Sequence, residues 1–200
     1  LLDDNGKEQQ RLTYRQLLGR VSAIARQLRE HSQPGERIAL FFPQGLEFIA
    51  TFLACLVAGR IAVPVNLPTR RRVERCLKIL DDSGSRLLLV PDSERAALQQ
   101  AFDGSAAADL AMLSPTSTCD DDVQWSRPDD SDPQRIAFLQ YTSGSTSAPK
   151  GVMVSHANIS ANLRMMRDSW ALDHTSDFVT WQPHHHDMGL ILGQLLPIVL

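Results

Sequence analysis

Apolar residues in this chain recur first with helical spacing and then in short unbroken runs. Leu17, Val21, Ile24 and Leu28 share one face of a helix that begins at Thr13, with Gln16 three residues on as its capping-box partner. Pro34-Gly35 ends the connection after it. Arg37-Ile38-Ala39-Leu40-Phe41-Phe42 predicts a strand. Leu46 to Ala58 is an almost uniformly apolar helix, which implies burial on several sides, and Gly59 caps it. A strand over Ile61-Ala62-Val63-Pro64-Val65, a helix from Arg71 to Asp82, a strand over Leu87-Leu88-Leu89-Val90 and a helix from Ser93 to Phe102 follow.

This is a repeated strand-helix alternation in which the strands are continuously apolar. Such strands belong to a mostly parallel sheet covered by helices on both faces, an α/β fold with parallel-sheet layers flanked by helices. Ligands of such sheets bind beyond the carboxyl ends of the strands. Between residues 103 and 134 the composition shifts to Ala, Ser, Asp and Pro, so this stretch reads as a long connection that can separate two subdomains. Its acids, Asp120-Asp121-Asp122 and Asp129-Asp130, read as solvated loop rather than a metal site, because no histidine accompanies them. Ile136-Ala137-Phe138-Leu139 and Val152-Met153-Val154 predict two further strands. Ser155 then caps a helix from His156 to about Trp170, and Phe178-Val179-Thr180-Trp181 predicts the next strand.

Composition adds little to the fold and much to the function. The 200 residues are 43% hydrophobic and 22% charged, ordinary for a soluble chain large enough for one sizeable core. A formal charge of -3 and a pI near 6.1 argue against a general nucleic-acid binder. The basic cluster Arg70-Arg71-Arg72 with Arg75 reads as the solvated first turn of a helix. Cys55, Cys76 and Cys119 lack metal-ligand spacing and form no disulfide framework, which fits a reducing cytoplasm. No targeting signal is visible at Leu1, and the apolar end from Ile191 to Leu200 is too short to span a bilayer. Both termini read as mid-chain sequence, so the chain is expected to be part of something longer.

The chemistry concentrates in two stretches. The first, Tyr141-Thr142-Ser143-Gly144-Ser145-Thr146-Ser147-Ala148-Pro149-Lys150-Gly151, packs hydroxyls, glycines and one lysine between two apolar strands. Backbone N–H groups around Gly144, the hydroxyls of Thr142, Ser143, Ser145 and Thr146, and the Lys150 ammonium supply donors that a polyphosphate needs. It is not a Walker A loop, since Pro149 replaces the second glycine, Gly151 follows the lysine, and a strand rather than a helix comes next. A short Ser/Gly run can equally be a surface hairpin. The whole string, however, resembles the signature loop Y-T-S-G-[ST]-T-G-x-P-K-G of the adenylate-forming superfamily of acyl-CoA synthetases, luciferases and nonribosomal peptide adenylation domains. Ser147 departs from it where glycine is usual.

The second stretch is Pro183-His184-His185-His186-Asp187-Met188-Gly189. Imidazole and carboxylate are good zinc ligands, but in extended chain His184 and His186 can share a site while His185 faces away, which leaves too few ligands on one side. An innocent histidine run in surface or core is a second reading. The third is a resemblance to the histidine motif W-L-P-x-Y-H-D-M-G-L of fatty acyl-AMP ligases: Trp181, Pro183, His186, Asp187, Met188, Gly189 and Leu190 match, with Gln182 for leucine and His185 for tyrosine. Leu12-Thr13-Tyr14-Arg15-Gln16-Leu17 and Val57 to Val65 resemble two further core motifs of adenylate-forming enzymes, in the right order.

The resemblance implies part of the large N-terminal domain of such an enzyme. It implies that ATP and a fatty acid give an acyl-adenylate and pyrophosphate, after which the acyl group moves to the phosphopantetheine thiol of an acyl carrier protein. Thr142, Ser143, Gly144, Ser145, Thr146, Lys150 and Gly151 would then bind ATP, with Mg²⁺ alongside, and Lys150 and His186 would be catalytic. His186, Asp187, Met188 and Gly189 would meet the substrate. Asp187 either sets the imidazole tautomer or caps the helix that follows. Met188 and Leu190 to Leu196 are candidate walls for an acyl chain or ordinary core. The adenine motif, the acidic Mg²⁺ ligand, the ribose-binding aspartate and the mobile C-terminal domain are expected after Leu200, so residues 1–200 alone are expected to have no turnover. An acyl-CoA synthetase, an amino-acid adenylation domain, and a non-catalytic acyl- or nucleotide-binding protein on the same scaffold remain the alternatives.

Overall fold

The computed structural model describes residues 1–2, 5–69, 72–116, 118, 132–141 and 149–200, and helices alternate with strands along the first half as the apolar pattern predicts. Helix α1 (Tyr14–His31) starts at a complete capping box: the Thr13 hydroxyl accepts from the Gln16 backbone N–H at 3.2 Å, and Gln16 Oε1 accepts from the Thr13 N–H at 2.9 Å. Such a cap is worth about 1 kcal/mol. The apolar face of α1, with Val21, Ile24 and Leu28 buried, packs on α2 (Leu46–Ala58). Gly59 closes α2 at φ 73°, a left-handed conformation costly for other residues, and its N–H donates to the Leu56 carbonyl at 3.1 Å. Arg60 then turns inward. Its buried guanidinium donates to the carbonyls of Leu28, Ser32 and Ala58 and to Ser32 Oγ at 2.9 Å, placing one cation at the negative ends of both helices.

Among the described residues the strands form one six-stranded sheet. They are β1 (Arg37–Phe41), β2 (Ile61–Val65), β3 (Leu87–Leu89), β4 (Ala111–Leu113), β5 (Ile136–Tyr141) and β6 (Gly151–Ser155), in the spatial order β4-β3-β1-β2-β5-β6. All neighbours are parallel except β5 and β6, which form an antiparallel hairpin at one edge. The period of two along each strand sorts the core into two layers. Ile38, Leu40, Ala62, Leu87 and Leu89 join the α1 and α2 side, while Ala39, Phe41, Val63, Val65 and Leu88 join α3 (Val73–Ser83) and α4 (Asp92–Phe102) on the other. A register irregularity between Ile136 and Phe138 puts Ala137 and Phe138 together on the α1 and α2 side, before Leu139 and Tyr141 return to the α3 side.

After β6 come α5 (His156–Ser169), capped by Ser155, then a π-helical segment (Met188–Leu195) and the short α6 (Leu196–Val199). Leu190, Leu195 and Leu196 are buried in the layer that holds α1 and α2. No helix among the described residues is long and apolar enough to cross a membrane.

The structure departs from the sequence reading in three places. The 103–134 stretch holds a strand, β4, paired with β3 from Leu87–Ala111 to Leu89–Leu113; three residues are too few to show a period. The third helix begins at Val73, after the described Arg72, rather than at Arg71, which lies outside the described residues, as do Arg70, Cys119 and the acids at 120–122 and 129–130. Phe178 to Trp181 forms no strand: Val179 is 85% and Trp181 82% exposed. An apolar run becomes a strand only where a neighbour takes its backbone groups. This run pairs with no strand among the described residues, and the residue after it is held by side chains: the Gln182 N–H donates to Thr180 Oγ1 at 3.2 Å and the Gln182 carbonyl accepts from Gln44 Nε2 at 3.0 Å.

Candidate functional site

The signature loop springs from the β5–β6 hairpin. Tyr141 and Gly151 stand opposite each other as the outermost pair of the ladder, so residues 142–150 leave and return across a single strand pair. Thr142, Ser143, Gly144, Ser145 and Thr146 lie outside the described residues. Lys150 is exposed and directly precedes Gly151, which fixes where its stem emerges. Gly151 has no room for a side chain: a Cβ there would stand 2.9 Å from Cζ of the Tyr141 ring. The Tyr141 hydroxyl in turn donates to Asp82 Oδ2, in the last turn of α3, at 2.5 Å. Burial first, then the bond to Asp82, raises the Tyr141 pKa, so the phenol keeps its proton.

The histidines sit in a tight turn rather than in extended chain, which removes the alternating-face argument. The His186 N–H donates to the Pro183 carbonyl at 3.0 Å, and the His186 carbonyl accepts from Leu190 at 2.9 Å. His186 and Asp187 are exposed, and Met188 is 48% exposed. The Asp187 carboxylate accepts from the Met188 backbone N–H at 2.8 Å, at the start of the π segment. Gly189 is buried beneath the turn; a Cβ there would lie 2.1 Å from the Pro183 carbonyl oxygen and 2.8 Å from that of Gln182. The turn and the π segment meet only because this position is bare.

His184, the variable position of the motif, points inward. It is 3% exposed and stacks on Phe48 of α2 with ring centroids 3.7 Å apart and planes at 21°. Neither ring nitrogen has a hydrogen-bond partner among the described residues. Burial, then the neighbouring His185, lowers its pKa to about 4, so it is neutral at pH 7. Burial first, then His186 and Arg72, also lowers the His185 pKa. His185 and His186 rings lie 4.6 Å apart.

One bond brings the two stretches together. Gln140, the penultimate residue of β5, donates from Nε2 to the His185 carbonyl at 2.7 Å across 45 positions of sequence. Gln44, in the turn between β1 and α2, holds the adjacent Gln182 carbonyl. The base of the signature loop and the histidine turn therefore share the carboxyl end of the parallel strands, where ligands of such sheets bind. Lys150 offers a cation there, and His186 an exposed imidazole. Gln140, Gln44 and Asp82 were not legible as site residues, since each acts through a carbonyl or a phenol that only the fold brings near; His184 was weighed only as a possible metal ligand beside His186, and its stacking on Phe48 was not legible. Among the described residues no group of three or more His, Cys, Asp or Glu is placed to hold a metal ion.

Comparison with known proteins places this architecture. The AMP-binding enzyme family matches residues 2–200. The medium-chain-fatty-acid–[acyl-carrier-protein] ligase JamA of Moorena producens is 35% identical over 98% of this chain and 34% of its own length. The long-chain-fatty-acid–AMP ligase FadD32 of Mycolicibacterium smegmatis is 34% identical over 94% of this chain and 30% of its own. The crystal structure of a fatty acyl-adenylate ligase from L. pneumophila, in complex with acyl adenylate and pyrophosphate, superposes with a TM-score of 0.84 at 35% identity, over 99% of this chain and 34% of that one. The chain spans about one third of the length of the curated relatives it matches.

Proposed function

The chain belongs to the AMP-binding enzyme family, and from that premise we propose that it is part of the N-terminal adenylation domain of a fatty acyl-AMP ligase. The reaction is the activation of a fatty acid by ATP. A carboxylate oxygen of the acid attacks the α-phosphorus, the bond to the bridging oxygen of the β-phosphate breaks, and pyrophosphate leaves with that electron pair. The thiol of an acyl carrier protein's phosphopantetheine then attacks the acyl carbonyl and AMP departs. The observation that carries this reading is the Gln140–His185 bond, which joins the polyphosphate-type loop to the histidine turn at one end of the sheet.

A carboxylate is a weak nucleophile beside polyanionic phosphates, so the main tasks are alignment and charge neutralisation. Thr142, Ser143, Gly144, Ser145, Thr146 and Gly151 offer hydroxyls and backbone N–H groups to the β- and γ-phosphates, and the Lys150 ammonium neutralises charge as pyrophosphate leaves. His186, exposed beside the loop base, orients the acid's carboxylate, and Met188 borders the acyl chain. Asp187 and Gly189 serve the same surface by holding the turn's shape. Mg²⁺ would screen the phosphate charge when bound with ATP; among the described residues no group of three or more His, Cys, Asp or Glu is placed to hold it. The remaining adenosine contacts and a mobile C-terminal domain belong to the rest of the longer polypeptide, which acts in the cytoplasm, without binding nucleic acid or inserting in a membrane.

The test is ATP–pyrophosphate exchange by the complete polypeptide carrying this segment, driven by a chain-length series of fatty acids and by amino acids. Fatty-acid-dependent exchange, followed by transfer to a carrier-protein thiol and not to CoA, supports the proposal. Accumulation of acyl-CoA makes it a CoA synthetase, exchange with amino acids makes it an amino-acid adenylation domain, and no exchange with any acid leaves a binding protein.

A further inference from the structure

Among the described residues 182–188 only His184 is buried, and it is a histidine where an apolar side chain would fill the space without burying two unpartnered ring nitrogens. Neutral at pH 7, its imidazole has one N–H to give and one lone pair to fill. A third orphaned atom lies beside it. Phe138 and Gln140 share a face of β5, and Phe138 packs on Phe52 of α2 with ring centroids 5.5 Å apart. α2 joins the carboxyl end of β1 to the amino end of β2, so it runs against the strands. Two residues onward in β5 and four residues back in α2 cover nearly the same distance, about 6.6 and 6 Å, which brings Gln140 level with Phe48. His184 stacks on that same Phe48 with centroids 3.7 Å apart, and Gln140 Nε2 holds the carbonyl of the next residue, His185, at 2.7 Å. Gln140 Oε1, buried in this layer, has no partner among the described residues.

We propose that His184 is a positioning residue for His186: ordered water joins its imidazole to Gln140 Oε1, and this bridge, with the stack on Phe48, fixes the turn that presents His186 to the acid. A water that accepts from the imidazole N–H and donates to the amide oxygen gives both groups a partner, as buried water does at polar sites in protein interiors. His186 needs such support. Its ring is exposed and meets the His185 ring, and among the described residues its hydrogen bonds are backbone ones, so the turn decides where its imidazole stands. This deepens the functional reading above and rests on it for the role of His186. Apparent affinity for the acid falls in proportion to the fraction of protein with that imidazole in place.

The experiment uses the complete polypeptide carrying this segment, with His184→Phe, Gln140→Leu and the double variant, and reads the steady-state KM for a fatty acid and for ATP beside urea unfolding. His184→Phe keeps a ring on Phe48 and removes only the nitrogens. It is expected to stay folded, to raise the KM for the acid about fivefold, the size of one lost hydrogen bond, and to leave the KM for ATP unchanged. Gln140→Leu should do the same or more, because it also frees the His185 carbonyl, and it gives the comparison should His184→Phe not fold. The double variant should be no worse than Gln140→Leu alone, in KM and in unfolding. A folded single variant with the wild-type KM for the acid overturns the proposal. So does an equal rise in the KM for ATP, which marks a merely structural loss, or additive effects in the double variant. If the wild type activates no acid, the functional reading falls and the role of His186 with it, while additivity in the unfolding curves still decides the bridge. Fatty-acid activation with additive curves keeps the reading and sinks the bridge.

Discussion

The loop base and the histidine turn arrive at the same end of the sheet, but their positions are set by different forces. The loop base is placed by an antiparallel ladder, regular from Phe138–Val154 to Tyr141–Gly151, with backbone bonds that any sequence of the right period can make. The histidine turn has no ladder. It is held by two glutamine side chains on carbonyls, by one imidazole stacked on Phe48, and by a glycine that lets the backbone of Pro183 touch the π segment. Placement by a ladder tolerates substitution and reads easily from sequence. Placement by individual side chains does neither.

The contrast breaks most sharply at the two close-packed glycines. At Gly189 the obstacle is backbone oxygen at 2.1 Å, which cannot step aside, so Gly189→Ala is expected to cost about 3 kcal/mol or more and to abolish the turn, read by denaturant unfolding and by loss of exchange activity. Next in size is pH. The His184 pKa falls from 6.5 to about 4 on folding, so the unfolded chain binds the extra proton first. Stability contributed by its neutral form is full above about pH 6.5 and is lost as pH falls towards 4, at up to about 1.4 kcal/mol per unit and about 3 kcal/mol in all. His184→Leu should flatten that slope in a series of unfolding curves from pH 7 to 4. Gly151→Ala meets a side chain instead of backbone, and the Tyr141 ring can rotate, so about 1 to 2 kcal/mol is expected, with Tyr141→Ala relieving part of it in a double-mutant cycle. Smallest is Gln140→Leu, which removes the bond to the His185 carbonyl. It should cost about 1 kcal/mol of stability and loosen the histidine turn with little effect on the hairpin, as hydrogen exchange would report.

The same contrast explains what the sequence revealed. The Thr13 and Ser155 caps, the apolar α2 with its Gly59 stop, and the strand at 61–65 follow from local rules and stand where those rules put them, and the strands expected at 37–42 and 136–139 form at 37–41 and 136–141. The run from Phe178 to Trp181 obeys the same composition rule yet forms no strand, because a strand is a relation between two segments and this one has no partner among the described residues. β4 is the converse case: Ala111-Met112-Leu113 says little by itself, and the edge of β3 makes it a strand. In the site, Lys150 and His186 are legible by their chemistry, while Gln140 and Asp82 are not, since their function is to reach a carbonyl or a phenol far away in sequence. A core position was one of the readings given for the histidines, but which of them is buried was not legible: a period-two argument presumed extended chain where the backbone turns and His184 goes inward.

The central claim is that Lys150, at the exit of the loop, neutralises the phosphates of ATP while a fatty acid is activated beside it. Fatty-acid-dependent ATP–pyrophosphate exchange by the complete polypeptide, with Lys150→Ala against wild type, tests it most directly. Exchange should fall by about a hundredfold or more in the folded variant, the size of a lost transition-state cation. Exchange at the wild-type rate in Lys150→Ala would contradict it.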